Sequence, residues 1–245
     1  MRVVFHILIC AGIAVSLFGT AFCTAELFGP EASVVTSLLV PGPGGENKAI
    51  DGFPHKIPGT DLQIQDITAY EGPYLEDGTY EEVCDVAVLI VSNTSEHPLQ
   101  TVEISLFGLR RTLEFSGTWL PPGSSCVLLE KNRSLYREES YVGCSGNQSI
   151  CKEENALESI TLEEIADDTL RLVNSAKERQ PPVLLRYKTY MQEEDLYIGG
   201  VTNEVLFPSL APGETYTLTP PRYVKGYGKI IFAQVDKYVD AVDMD

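Results

Sequence analysis

Two histidines, His55 and His97, are the candidate general bases of the chain beyond its N-terminal segment. A Ser–His–Asp or Cys–His mechanism needs a histidine beside a nucleophile. His97 precedes a proline in a predicted turn, His55 lies in a stretch rich in proline and glycine, and no G-x-S-x-G motif occurs. Carboxylate pairs also hydrolyse glycosides, but among 35 acidic residues such pairs are inevitable and identify no site. We therefore predict no catalytic residue and a protein that is not an enzyme.

Four cysteines follow the N-terminal segment: Cys84, Cys126, Cys144 and Cys151. An even number of cysteines in an exported chain favours disulfides. The short, turn-rich segment CSGNQSIC predicts a Cys144–Cys151 clip, which leaves Cys84–Cys126 as a bridge between strands. Free buried thiols are the alternative. Zinc is disfavoured because the cysteines form no C-x-x-C pair and histidines are few.

Acidic loops are the remaining candidates for metal binding. They lie at 76–82, 166–168 and 192–195, and none has the D-x-D-x-D-G spacing of a calcium loop. Solvated acidic loops are favoured over weak calcium binding. We predict no metal site and no cofactor.

Tyrosines are frequent in the second half of the chain, where an aromatic patch beside a long hairpin suits recognition of a peptide or glycan. The predicted recognition surface is the hairpin 187–203, with a tryptophan elsewhere as a secondary candidate. The alternative is that tyrosine is simply a favourable strand residue whose hydroxyl end reaches solvent. The candidate binding residues are Tyr187, Tyr190, Tyr197, Gly199, Gly200 and Trp119.

Alternation of apolar and polar residues predicts strands from residue 61 onward, as in LQTVEISLFGL (99–109). Turn clusters such as SNTSEHP and PPGSS separate them, a spacing typical of an all-β sandwich. A helix over 159–178 is the alternative, disfavoured because Asp-Asp-Thr interrupts it. The predicted strands are 62–70, 83–91, 99–109, 111–120, 126–130, 156–165, 168–174, 183–191, 195–207, 216–221 and 228–235.

The two halves of the chain repeat one pattern. Asn93 precedes Val102 by nine residues, and Asn174 precedes Val183 by nine. WLPPGSSCVLL (119–129) matches SLAPGETYTLT (209–219). The offset grows from 81 to 90 residues, which a nine-residue insertion around QEEDLYIGG explains. We infer a duplicated unit, with β-sandwich modules at 61–150 and 151–245.

The N-terminus resembles an export signal. Met1 and Arg2 precede an apolar run that ends in small residues, which predicts a signal peptide at 1–25 cleaved after Ala25. A retained single membrane anchor and a lipid on Cys23 are the alternatives. Residues 26–60 are rich in proline and glycine and predict an exposed spacer. The net charge of −17 disfavours nucleic acid and anionic lipid as partners.

The apolar strand followed by N-T-S, and the L-x-P-G-E turn before another strand, resemble the modules of exported tandem Ig-like β-sandwich proteins of Gram-positive, gut-type bacteria. The resemblance covers about 61–236 and is carried most clearly by YKTYM…LYIGGVTNEVLFPSLAPGETYTLTPP. It implies two tandem antiparallel Ig-like β-sandwich modules after an N-terminal signal or anchor, and it brings no settled activity. The four cysteines depart from that plan.

The leading hypothesis is therefore a non-catalytic binding or scaffold protein, secreted or at the extracellular face of the cell envelope. Its expected partner is a protein or a cell-wall glycan, recognised through hairpin loops held on a rigid sandwich. The alternatives are a membrane-tethered accessory subunit of an envelope complex and an enzyme of unrecognised type.

Overall fold

The computed structural model describes residues 50–235, which form an all-β protein of three sheets. One 3₁₀ turn at Leu157–Ser159 interrupts the strands. The strands are β1 (His55–Lys56), β2 (Leu62–Pro73), β3 (Glu82–Asn93), β4 (Leu99–Gly108), β5 (Thr112–Leu120), β6 (Ser125–Leu129), β7 (Tyr141–Ile150), β8 (Thr161–Ala166), β9 (Thr169–Val173), β10 (Val183–Met191), β11 (Leu196–Phe207), β12 (Thr215–Leu218) and β13 (Gly228–Val235). The predicted signal peptide at 1–25 lies outside the described residues.

The all-β prediction is confirmed, and most predicted strands occur close to their expected bounds. The helical alternative over 159–178 does not form, because Asp167 and Asp168 make the tight turn of the β8–β9 hairpin. Two strands were missed: the short β1, which lies in the predicted spacer, and β7. β7 occupies the stretch expected to be a disulfide clip, and it pairs with β4 along its whole length despite its glycine, serine and asparagine content. Pairing on the sheet outweighs the low strand propensity of these residues.

The internal repeat reappears in the strand order. One sheet has seven strands in the order β1-β2-β3-β6-β11-β10-β13, and the two others have the orders β5-β4-β7 and β12-β9-β8. If β2 to β7 correspond to β8 to β13 in chain order, β6-β3-β2 matches β12-β9-β8, and β5-β4-β7 matches β11-β10-β13. The chain therefore contains two copies of one six-strand arrangement.

Each repeat packs its two sheets around a core of its own. In the first repeat, Leu89 and Leu128 from the large sheet contact Ile104 and Phe115 from the β5-β4-β7 sheet. In the second, Leu185 and Phe207 from the large sheet pack against Leu170 and Leu172 of β9. Inward positions alternate with outward ones, as the pleat of a strand requires.

The large sheet continues across the boundary predicted at residue 150. β6 of the first repeat pairs in parallel with the start of β11 of the second, with Ser125 opposite Leu196 and Val127 opposite Ile198. Backbone hydrogen bonds between β6 and β11 thus join the two repeats, in addition to the chain segment that connects them.

A buried asparagine occupies the same position in both repeats. The side-chain amide of Asn93 donates to the carbonyls of His97 at 2.8 Å and Leu120 at 3.1 Å. The amide of Asn174 donates to Glu178 at 2.8 Å and to Leu210 at 2.9 Å. Both asparagines are 1% exposed. Each ties the end of a core strand to the carbonyl of the leucine before the Pro-Gly turn, which explains the repeated sequence signature.

Replacing Asn174 with aspartate is expected to lower the free energy of unfolding by about 2 kcal/mol, because a carboxylate cannot donate to the two buried carbonyls. Asn93→Asp should cost a similar amount, and the two effects should add because the sites share no partner. Urea denaturation of the single and double variants measures this. The exposed residue Gln100 supplies the control Gln100→Glu, which should leave the midpoint unchanged. Full stability in Asn174→Asp would contradict the role given to the amide.

The predicted spacer requires a correction, since its last part belongs to the fold. Ile57 is fully buried, and Ile50 and Phe53 pack against the first core. The backbone amide of Ile50 donates to the carbonyl of Tyr141 in β7 at 3.0 Å. The apolar residues scattered among the prolines and glycines close one side of the first sandwich, between β2 and β7.

Candidate functional site

The β10–β11 hairpin, predicted as the recognition element, carries an aromatic pair near its tip. Tyr190 and Tyr197 lie opposite each other across the hairpin, with ring centroids 5.1 Å apart. The Lys229 ammonium lies 4.0 Å from the Tyr190 centroid, a cation–π distance. The Tyr190 hydroxyl donates to the carboxylate of Asp195. Tyr190 is half-buried and Tyr197 is buried, so the pair stiffens the tip and offers little free aromatic surface.

Two other predicted binding residues are part of the packing. Tyr187 is 1% exposed, its hydroxyl donates to the carbonyl of Pro221, and its ring meets Tyr223 edge-on. Trp119 is 7% exposed and lies between the Arg186 guanidinium, 4.0 Å from its ring, and Phe232. Tyr187 belongs to the second core. Trp119 lies at the contact between the repeats, where it lines a small cavity of about 210 Å³ together with Phe232 and Pro98.

The glycine pair in β11 is also structural. Gly199 has φ +80° and a Cβ there would lie 2.9 Å from Leu75. A Cβ on Gly200 would lie 2.0 Å from the carbonyl oxygen of Ser116 and 3.0 Å from the Cα of Gly117, both in β5. These glycines permit β11 to cross β5 at backbone contact. β11 runs unbroken through both glycines from Leu196 to Phe207, and only its pairing with β10 shifts register nearby.

A buried ionic cluster at this crossing was not predicted. The Lys188 ammonium, 1% exposed, donates to the carbonyls of Thr118 at 3.1 Å, Gly200 at 2.9 Å and Val201 at 3.2 Å. The Glu76 carboxylate accepts from the amide of Gly200 at 2.8 Å. Burial lowers the pKa of Lys188 and raises the pKa of Glu76, while each charge favours the ionised form of the other.

The cluster is suited to holding backbone in place rather than to catalysis. An ammonium that donates three hydrogen bonds has no lone pair for nucleophilic attack. Burial also raises the pKa of the neighbouring Cys126 thiol to about 11, which keeps it protonated and unreactive at neutral pH. Arg186 and Lys188 stand at alternate positions of an otherwise apolar strand, which is the usual pattern of a solvent-facing side, so no signal in the sequence indicated this buried cluster.

An open groove lies beside the hairpin, on the face of the large sheet opposite to the first core. Its floor is formed by Val88 and Ile90 of β3 and Val127 of β6. Met191 and Leu196, at the two ends of the hairpin tip, form one wall. The cavity volume is about 550 Å³, which lies within the usual range for ligand sites. We call this feature the hairpin groove.

The rim of the hairpin groove is acidic. Glu71 of β2 and Glu194 and Asp195 of the hairpin tip line it, and all three side chains are exposed. None of the ion pairs formed within residues 50–235 involves them. Sequence reasoning missed this site because its lining comes from five strands, β2, β3, β6, β10 and β11, several of which are distant along the chain. Only the hairpin was marked in advance.

The two predicted disulfides are wrong. Cys144 lies within β7 and Cys151 directly follows it, so an extended backbone separates them by about 20 Å. Val91 lies opposite Cys126, and Cys84 is seven residues further along β3, a comparable separation. A disulfide requires Cα atoms within about 7 Å. No disulfide forms within residues 50–235. Cys126 and Cys144 instead fill core positions as small apolar side chains.

Within the described residues no helix is long and apolar enough to cross a membrane. The same part of the chain contains no group of three or more His, Cys, Asp or Glu side chains placed to hold a metal ion. No protein-family model matches the chain, and comparison with curated proteins finds no match.

Alkaline pH is expected to destabilise the protein through its buried tyrosines. Burial raises the pKa of Tyr74, Tyr141 and Tyr187 from 10.0 to about 12. Between these values the folded state holds protons that the unfolded state has lost, so the free energy of unfolding falls as pH rises. The urea midpoint should fall from pH 8 to pH 10 and again to pH 11. The midpoint of the Tyr187→Phe variant should fall less steeply over the same range. A midpoint independent of pH up to 11 would contradict this.

Proposed function

We propose that this chain is a non-catalytic binding or scaffold protein at the extracellular face of the cell envelope. It is built from two Ig-like β-sandwich units and recognises a protein or glycan partner at the β10–β11 hairpin. The single observation that carries this proposal is the hairpin groove, a concave and largely apolar site with an exposed rim, positioned on a rigid sheet. Concave apolar sites with a few polar groups are the usual form of ligand sites.

Two observations support the architecture within this proposal. Antiparallel sheets with the orders β2-β3-β6 and β5-β4-β7 have the order of the A-B-E and C′-C-F strands of Ig-like sandwiches. The charged and then apolar N-terminal sequence favours export. The buried, fully hydrogen-bonded state of Lys188 gives no support to a catalytic function at the most polar part of the interior.

The test is affinity capture from an envelope extract of the host, with the chain 26–245 immobilised. Thr68→Trp fills the groove, because Thr68 lines it from β2. Thr112→Trp, at an exposed position of β5 in another sheet, is the matched control. A stoichiometric protein or glycan partner that is retained by the control and lost with Thr68→Trp would support the proposal. Equal capture by both variants would overturn the assignment of the binding site.

A further inference from the structure

The floor of the hairpin groove is suited to apolar side chains. Val88, Ile90 and Val127 present aliphatic surface, and the wall adds Met191 and Leu196. Ile90, Met191 and Leu196 are half-buried, so part of this apolar surface is open to solvent at the end of the second repeat's hairpin. Covering it with apolar groups is favourable at about 25 cal/mol per Å².

Few hydrogen-bonding side chains line the floor. Thr68, Tyr70 and Ser125 are the hydroxyl side chains that line the groove. The Ser125 hydroxyl already shares a 2.6 Å hydrogen bond with that of Ser92, and the Tyr70 hydroxyl already donates to the carbonyl of Pro73 at 3.0 Å. A sugar ring carries a hydroxyl on most of its carbons and requires many such partners. The floor therefore favours a peptide over a glycan.

The rim selects for charge. Glu71 lies on one side of the groove, and Glu194 and Asp195 lie on the hairpin tip at the other side. No lysine or arginine lines the groove. A ligand with positive charges on both sides of an apolar centre would meet one acidic side chain or more at each end, which is the complementarity that guides specific association.

We propose that the hairpin groove binds an extended peptide segment whose apolar side chains lie on Val88, Ile90 and Val127 and whose flanking lysine or arginine residues meet Glu71 and Glu194. This inference rests on the proposed function and names the class of its partner. The net charge of −17 over the whole chain adds a long-range attraction for such a segment.

The experiment uses three fluorescein-labelled nonapeptides with the same Leu-Val-Leu centre, flanked by lysines, serines or glutamates. Fluorescence anisotropy at low salt measures their binding to the chain 26–245. The lysine-flanked peptide should bind about 10-fold more tightly than the serine-flanked one, and the glutamate-flanked peptide more weakly than both. The advantage of lysine should shrink at 0.5 M NaCl, because the rim is exposed.

Charge reversal tests the rim without threatening the fold. Glu71→Lys combined with Glu194→Lys should abolish the preference for the lysine-flanked peptide and favour the glutamate-flanked one. The control Glu96→Lys with Glu178→Lys reverses the same charge at exposed positions outside the groove and should keep the original order. Circular dichroism verifies that each variant is folded.

Equal affinity for the three peptides, or binding of none at millimolar concentration, would overturn this inference. So would an unchanged order in the rim variant. Capture of a glycan that Thr68→Trp removes would also overturn it while leaving the proposed function in place. If none of the peptides binds and capture does not depend on the groove, both this inference and the proposed function are rejected.

Discussion

Gly200→Ala is expected to lower the free energy of unfolding by about 3 kcal/mol or more, enough to leave much of the chain unfolded at physiological temperature. A Cβ at this position would lie 2.0 Å from the Ser116 carbonyl oxygen, far inside van der Waals contact. The obstructing atom is backbone, so no side-chain rotation relieves the overlap. β11 would have to separate from β5, and the bonds of the Lys188 ammonium to Thr118 and Gly200 would be lost with that contact.

Thermal and urea unfolding followed by circular dichroism measure this loss. Val201→Ala is the matched control, because Val201 is the next residue of the same strand and is 37% exposed. It should shift the midpoint only slightly. A Gly200→Ala variant as stable as the control would mean that β11 and β5 do not approach as closely as described. An insoluble Gly200→Ala protein alongside a soluble control would agree with the expected loss.

Lys188→Met is expected to destabilise the protein by about 3 kcal/mol. Methionine fills nearly the same volume but donates no hydrogen bond, so the carbonyls of Thr118, Gly200 and Val201 lose a common donor. The substitution also removes the positive charge that favours the ionised form of Glu76. The expected loss of stability therefore comes from missing hydrogen bonds and a missing charge, and not from a cavity.

Urea denaturation at pH 7 measures the change, with Lys177→Met as the control because Lys177 is an exposed lysine. The double variant Lys188→Met with Glu76→Gln distinguishes the two contributions. If the two charges are coupled, the double variant should be more stable than the sum of the single losses implies. A Lys188→Met variant that equals the native chain in stability would show that the buried ammonium contributes nothing net.

Most of the secondary structure was accessible from the sequence because most strands bear a local signature. Alternation in 99–109 predicted β4, and the Asn93 and Asn174 signatures revealed the repeat before any fold was known. Those asparagines then proved to make the same two buried hydrogen bonds. β7 was missed because its serines, glycines and asparagine have no local preference for a strand, and its partner β4 supplies the reason for its conformation.

The site was less accessible because it is assembled from distant segments. The hairpin could be located by its insertion and its tyrosines, but the orientation of Tyr187 and Trp119 into packed interiors depends on partners such as Pro221 and Arg186. The floor of the groove is formed where β3 pairs with β6, and the sequence contains no pattern that predicts this pairing. The cysteine prediction failed for a related reason, since proximity in sequence becomes distance in space once the segment is extended.

The parallel pairing of β6 with β11 has a consequence for any attempt to separate the two repeats. Each of these strands would be an open edge if the other half of the chain were removed, because their neighbours on the other side are β3 and β10. An open edge of unpaired amides and carbonyls is a template for another strand. We therefore expect a truncation after residue 150 to leave β6 with an unpaired edge and to associate with other strands more readily than the whole chain does.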